Sequence, residues 1–161
     1  MDTSNYMVAN SNGIYYPTSY AYSIDSMKFY GLQLEVNSKV FGKLDIFGNY
    51  SYRKSEYDKS SFPASQHLDL PPKHKVNLGL RYPLFVNTLL TSDLRYVGER
   101  KSEGGNDLKE YFVADVGLEQ KLPKGLVVSV FVNNLFGQNY QEVYGFPMPK
   151  QTVGIRAKLT F

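Results

Sequence analysis

The residues with the most reactive side chains are His67 and His74, the only histidines in the chain, and they flank Asp69. Two imidazoles beside a carboxylate could bind a divalent metal or shuttle protons. Their seven-residue spacing, broken by Pro71 and Pro72, fits no metal-binding pattern, so both read as loop or rim residues. Serines and aspartates are plentiful, yet no Gly-x-Ser-x-Gly sets up a nucleophile and no Gly-rich loop would cradle a phosphate. The absence of cysteine removes thiol chemistry, disulfides and Cys-based zinc sites. The expectation is a protein that is not an enzyme and carries no cofactor and no metal.

A length of 161 residues holds one domain, expected to run from 1 to 161. A net charge of +3 is too slight to indicate a nucleic-acid partner. The mean hydropathy of −0.36 resembles that of a soluble protein, and no apolar run reaches the roughly 18 to 20 residues of a spanning helix. A β-barrel is not excluded by either observation, because its strands alternate and average to mild hydropathy. Met1 to Asn5 shows no basic or apolar stretch of a signal peptide. That start fits either a mature or truncated form with an added Met1, or a cytoplasmic protein.

Almost everywhere the period is two. Val153, Ile155, Ala157, Leu159 and Phe161 share one face against Thr152, Gly154, Arg156, Lys158 and Thr160 on the other. Strict alternation of this kind marks a strand between two unlike environments. Phe112, Ala114, Val116 and Leu118 oppose Asp115, Gly117 and Glu119, and Val128, Val130 and Val132 oppose Ser129 and Asn133. The same pattern runs through 27–38, 43–53, 75–84 and 90–96, with a weaker strand expected before Tyr16. The sum is about eight strands of about ten residues, the length a tilted membrane strand needs.

The connections alternate in length. Short turns fall at Phe41-Gly42, Val86-Asn87 and Pro123-Lys124-Gly125, and long polar loops at 56–72, 101–108 and 137–150. Loops sorted by end are what a transmembrane barrel shows, with the long ones outside the cell. The expected fold is an all-β antiparallel transmembrane barrel of about eight strands, or the C-terminal part of a larger one. The loops 57–68, 101–108 and 140–148 are then candidate contact surfaces, with Tyr140, Tyr144 and Phe146 as candidate extracellular ligand contacts.

The polar face carries Lys75 and ten further charges: Glu35, Asp45, Arg53, Arg81, Asp93, Arg95, Asp115, Glu119, Arg156 and Lys158. A mid-strand Arg or Lys facing lipid costs about 2–4 kcal/mol, so these charges should line the lumen, where they could pair across a narrow interior. Tyr50, Tyr52, Tyr82, Tyr96, Phe112, Phe136 and Phe161 lie near strand ends, as interfacial girdles do. A soluble barrel with its core on the apolar face is the competing arrangement.

Ordered motifs then point to a family. Val132-Asn133-Asn134-Leu135-Phe136-Gly137-Gln138-Asn139-Tyr140, Gly145-Phe146-Pro147-Met148-Pro149 and a final alternating strand ending at Phe161 resemble the C-terminus of TonB-dependent outer-membrane receptors. Upstream, Tyr30-Gly31-Leu32-Gln33-Leu34-Glu35, Asn49-Tyr50-Ser51-Tyr52 and Leu70-Pro71-Pro72-Lys73-His74-Lys75-Val76-Asn77 resemble that family's strands in the same order, over roughly 20–161. Lys150-Gln151 departs from the Gly-Arg usual before the last strand.

The resemblance implies residence in the Gram-negative bacterial outer membrane and a parent receptor that takes up iron chelates, cobalamin or similar cargo by energy coupling. Such a parent resembles a plugged barrel of about 22 strands, of which this length holds the last third or so and no plug. The chain alone is then not expected to transport. The alternative is an autonomous small barrel with a structural, adhesion or binding role. Expected partners are outer-membrane lipid, the barrel-assembly machinery, for which Phe161 resembles the C-terminal signal, and either missing receptor strands or a second copy.

Overall fold

The computed structural model describes residues 2–9, 15–22, 27–57, 70–102 and 106–161. Strands β1 (Asp2–Ala9) and β2 (Tyr15–Tyr22) pair antiparallel with each other as a hairpin of their own. Two strands thus stand where the alternation predicts one weak strand, because Pro17 and the Asn- and Ser-rich stretch obscure the period. Seven strands form the main sheet: β3 (Met27–Val40), β4 (Leu44–Tyr57), β5 (His74–Phe85), β6 (Thr88–Val97), β9 (Tyr111–Lys121), β10 (Leu126–Asn133) and β13 (Thr152–Leu159). They are joined in that order, each antiparallel to the next. Two small hairpins decorate the long loops: β7 (Arg100–Lys101) with β8 (Asp107–Leu108), and β11 (Gln141–Val143) with β12 (Phe146–Pro147).

All three predicted short turns are present. At the first, Phe41 and Gly42 take φ of 50° and 67°, and Lys43 N donates to Val40 O at 3.2 Å. Positive φ at both central residues is the geometry whose twist matches the flanking strands, and glycine adopts it without steric cost. At the third, Pro123–Gly125 forms a single 3-10 turn.

Register places every predicted lumen charge on one face. One row crosses five strands through Glu35, Asn49, Asn77, Arg95 and Val113, and the next, nearer the long loops, through Gln33, Ser51, Lys75, Val97 and Tyr111. The opposite face is apolar and open: Leu34 is 53% exposed, Ile155 75% and Val153 68%. A soluble monomer rarely leaves a continuous apolar face of this kind in water. The small core confirms the assignment, since Val97, Tyr111 and Val113 bury on the polar side, where the loops fold back. The apolar face is therefore built for lipid and not for a protein interior.

Aromatic residues band the apolar face. Tyr50, Val76, Tyr96 and Phe112 form one row near the long loops, and Phe112 stacks with Phe136 at 6.3 Å. Tyr82 and Phe161 lie at the turn end, so the girdle residues divide between both margins.

Inside, one device occurs twice. Phe47 lies directly opposite Gly79, and Phe131 opposite Gly154. Each ring covers its glycine so closely that a Cβ there would sit 1.9 Å or 2.3 Å from the ring carbon Cζ. Two residues beyond each glycine an arginine caps the ring, Arg81 at 5.1 Å from the Phe47 centroid and Arg156 at 5.5 Å from that of Phe131.

Candidate functional site: a cationic cavity under the last long loop

The last long loop is fixed at its base by Asn134. This residue is 3% exposed and takes φ of 50°, a left-handed conformation that asparagine tolerates. Its Nδ2 donates to Gln138 O at 2.9 Å and Pro149 O at 3.2 Å, and its Oδ1 accepts from Gln138 N at 2.9 Å. Its own backbone N donates to Asp115 Oδ1 at 2.7 Å. One side chain thereby ties both ends of the loop to the barrel wall.

So anchored, the β11–β12 hairpin leans over the polar face. The Tyr140 ring packs on Tyr111 with centroids 4.3 Å apart, and Arg95 Nη2 donates to the Tyr140 hydroxyl at 3.4 Å. Glu142 Oε1 lies 3.6 Å from Arg95 Nη1 and accepts from the Tyr111 hydroxyl at 3.2 Å. Arg100 Nη2, from the neighbouring hairpin, donates to Glu142 O at 2.6 Å.

Beneath these contacts lies a cavity of about 470 Å³. Among the described residues, Arg53, Lys75, Arg95 and Arg100 line it, with Glu142 as the single carboxylate, an excess of three positive charges. Two of its nitrogens, Arg95 Nε and Arg100 Nη1, are buried without a hydrogen-bond partner among the described residues. Buried guanidinium donors left unpaired are costly, and an anion with several oxygens would satisfy them. A second cavity of about 360 Å³ is bordered by Tyr140, Tyr144 and Met148.

The sequence candidates divide around this site. Arg53 and Arg95 line the cavity, and Tyr140 faces inward while Tyr144 and Phe146 are exposed, at 50% and 70%. Arg81 and Arg156 are engaged with aromatic rings, and Asp45 pairs with Lys39 at 3.2 Å. Glu35 accepts from Asn37, and Asp93 stands directly opposite Asp115. Glu119 and Lys158 share the face nearer the turns, opposite Ser129 and Val127. Among the described residues only Asp45 and Arg95 of the ten predicted lumen charges make ion pairs, so no network connects the ten.

His74 sits on the apolar side at the girdle, its Nδ1 2.9 Å from the Tyr50 hydroxyl and its ring 5.2 Å from that of Tyr52. That is the rim position expected of it. His67, Asp69 and the 57–68 contact loop lie outside the described residues, apart from the backbone of Tyr57. Toward the long-loop end of β4, Lys54 Nζ contacts Glu56 Oε1 at 2.6 Å.

Sequence reasoning missed Glu142 and Arg100. Both lie in loops without periodicity, and only the fold brings them to Arg95.

The family model described as TonB dependent receptor-like, beta-barrel, matches residues 1–135. The chain belongs to the TonB-dependent receptor β-barrel family. Barrels of this family are bacterial outer-membrane proteins. Solved structures agree on the fold, over nearly the whole chain. The ferric-catecholate import receptor Fiu from E. coli K12 matches at a TM-score of 0.72 and 20% identity, over 96% of this chain and 23% of its own. The siderophore receptor PirA from Acinetobacter baumannii matches at 0.72 and 18%, over 99% and 26%. The copper transporter OprC matches at 0.69 and 16%, over 98% and 26%. The chain therefore spans about a quarter of the length of the solved structures it matches.

Proposed function

We propose that the chain forms the C-terminal wall of an outer-membrane receptor that takes up an anionic metal chelate, with no enzymatic activity of its own. The observation that carries this reading is the cavity lined by Arg53, Lys75, Arg95 and Arg100 with unpaired buried donors. It offers cations and hydroxyls to an oxygen-rich anion, and a single carboxylate is a poor cage for a bare metal ion. Fiu is a ferric-catecholate receptor and PirA a siderophore receptor, cargo of the matching chemical class.

Energy-coupled uptake would belong to the larger receptor. Among the described residues β3 and β13 are the free edges of the sheet, and β1 pairs with β2 instead of closing on β13. Open edges of this length call for partner strands, which favours a receptor segment over an autonomous small barrel.

Equilibrium dialysis of the full chain in detergent micelles tests the reading. The ferric tris(catecholate) trianion should bind, and its affinity should fall steeply with salt. The neutral ferric tris(acetohydroxamate) complex should bind at least about tenfold more weakly, the ratio that loss of roughly one good charge contact gives. Equal affinity for both chelates, or no uptake of the trianion, would refute it.

A further inference from the structure

Glu142 is the only acidic residue between Gly137 and Lys150. The hairpin that carries it could have left it in solvent, yet it lands on the cation cluster and touches Arg95 and Tyr111. The fit is incomplete. At 3.6 Å the Arg95–Glu142 pair is an ion contact without the short geometry of a charge-assisted hydrogen bond, which lies near ~2.8 Å. Among the described residues, Arg95 Nε and Arg100 Nη1 remain unpaired beside it.

We propose that Glu142 is a resident stand-in anion: it occupies the ligand's place among the cations, latches the β11–β12 hairpin over the lumenal face, and is displaced when a chelate binds. This rests on the reading of the cavity as an anion site. One arginine holds both carboxylate and loop, because Arg95 meets Glu142 and Tyr140, while Arg100 grips the Glu142 backbone beside it. Expelling the carboxylate therefore unfastens the hairpin. A ligand must also outcompete a tethered carboxylate, which filters for chelates offering more anionic oxygens than one side chain can. Binding and loop release become one equilibrium, each biasing the other.

Hydrogen exchange read by mass spectrometry over 138–150, on the full chain in micelles, tests the latch. Glu142→Gln keeps the shape and removes the charge; it should speed exchange in this segment about two- to fivefold, as loss of a half-exposed ion contact does. Arg95→Gln should loosen the segment similarly. The two variants should part in dialysis, with Glu142→Gln binding the ferric tris(catecholate) trianion several-fold more tightly and Arg95→Gln more weakly. In the wild type the trianion should accelerate exchange in 138–150; protection there would overturn displacement. If no chain binds the trianion, the cavity reading fails by itself, and ligand-free exchange still judges the latch. A Glu142→Gln curve superimposable on wild type overturns it. Should a variant not fold, the wild type alone decides, because raising salt must accelerate exchange in 138–150 if a charge contact holds the hairpin.

Discussion

Replacing Asn134 by alanine removes three side-chain hydrogen bonds at a position 3% exposed, two donated to Gln138 O and Pro149 O and one accepted from Gln138 N. At about 1 kcal/mol net each, their loss costs about 3 kcal/mol. Alanine must also hold the left-handed φ of 50°, which asparagine accepts and which costs an ordinary L-residue about 1 kcal/mol more. The expected total is about 4 kcal/mol, with Asn134→Gly cheaper by about 1 kcal/mol because glycine adopts that backbone freely. The backbone bond to Asp115 Oδ1 survives in both variants, so the comparison isolates the side chain. Equilibrium urea titration in micelles, followed by tyrosine emission and by the heat-sensitive gel band, reads these differences. An Asn134→Ala variant within about 1 kcal/mol of wild type would refute the claim that one side chain fastens the loop base. A glycine variant no better than alanine would remove the backbone part of the argument.

Two further outcomes test the assignment of faces and of the chain end. Ile155→Arg places a charge on the apolar face and should cost about 2–4 kcal/mol of folded stability in bilayers, whereas Ser129→Arg on the polar face should be nearly neutral. A reversed order would place the lumen on the wrong side. Deleting Phe161 should reduce outer-membrane assembly in cells several-fold while leaving refolding into detergent intact. Equal losses in both assays would make Phe161 a packing residue of the girdle and not an assembly signal.

The strands were legible because β13 alternates without interruption and β9 and β10 keep an unbroken apolar face, even with Tyr111, Val113, Val127 and Phe131 on the other, and because glycines, prolines and asparagines punctuate them. The short hairpins were not legible: β7, β8, β11 and β12 are two or three residues long, too short for any period. The polar face was legible as a set of charges, and its internal bonding was not. Alternation tells which face Arg81 and Arg156 occupy and nothing of the phenylalanines beneath them. Arg53 and Arg95 were marked as lumen charges, and Tyr140 as a loop aromatic, but their convergence depends on a loop folding back over the sheet. That return is set by Asn134 and Glu142, whose importance lies in tertiary partners 4 to 47 residues away in sequence.

Alternation leaves one degeneracy that the two ring-over-glycine clasps remove. Sliding β5 along β4 by two residues would keep every side chain on its proper face, so hydrophobicity alone barely opposes such a slip. The clasps do oppose it. Moved by two, Phe47 would meet Asn77 or Arg81 in place of Gly79, losing the bare backbone its ring lies on and the guanidinium that covers it. The clasp at Phe131 and Gly154 applies the same condition to the final strand pair. They act as detents in an otherwise smooth rail, selecting one of several equally greasy alignments. A barrel wall assembled strand by strand would thus have its stagger, and with it the height of Arg95 beneath the last loop, set by two phenylalanines that do not line the cavity.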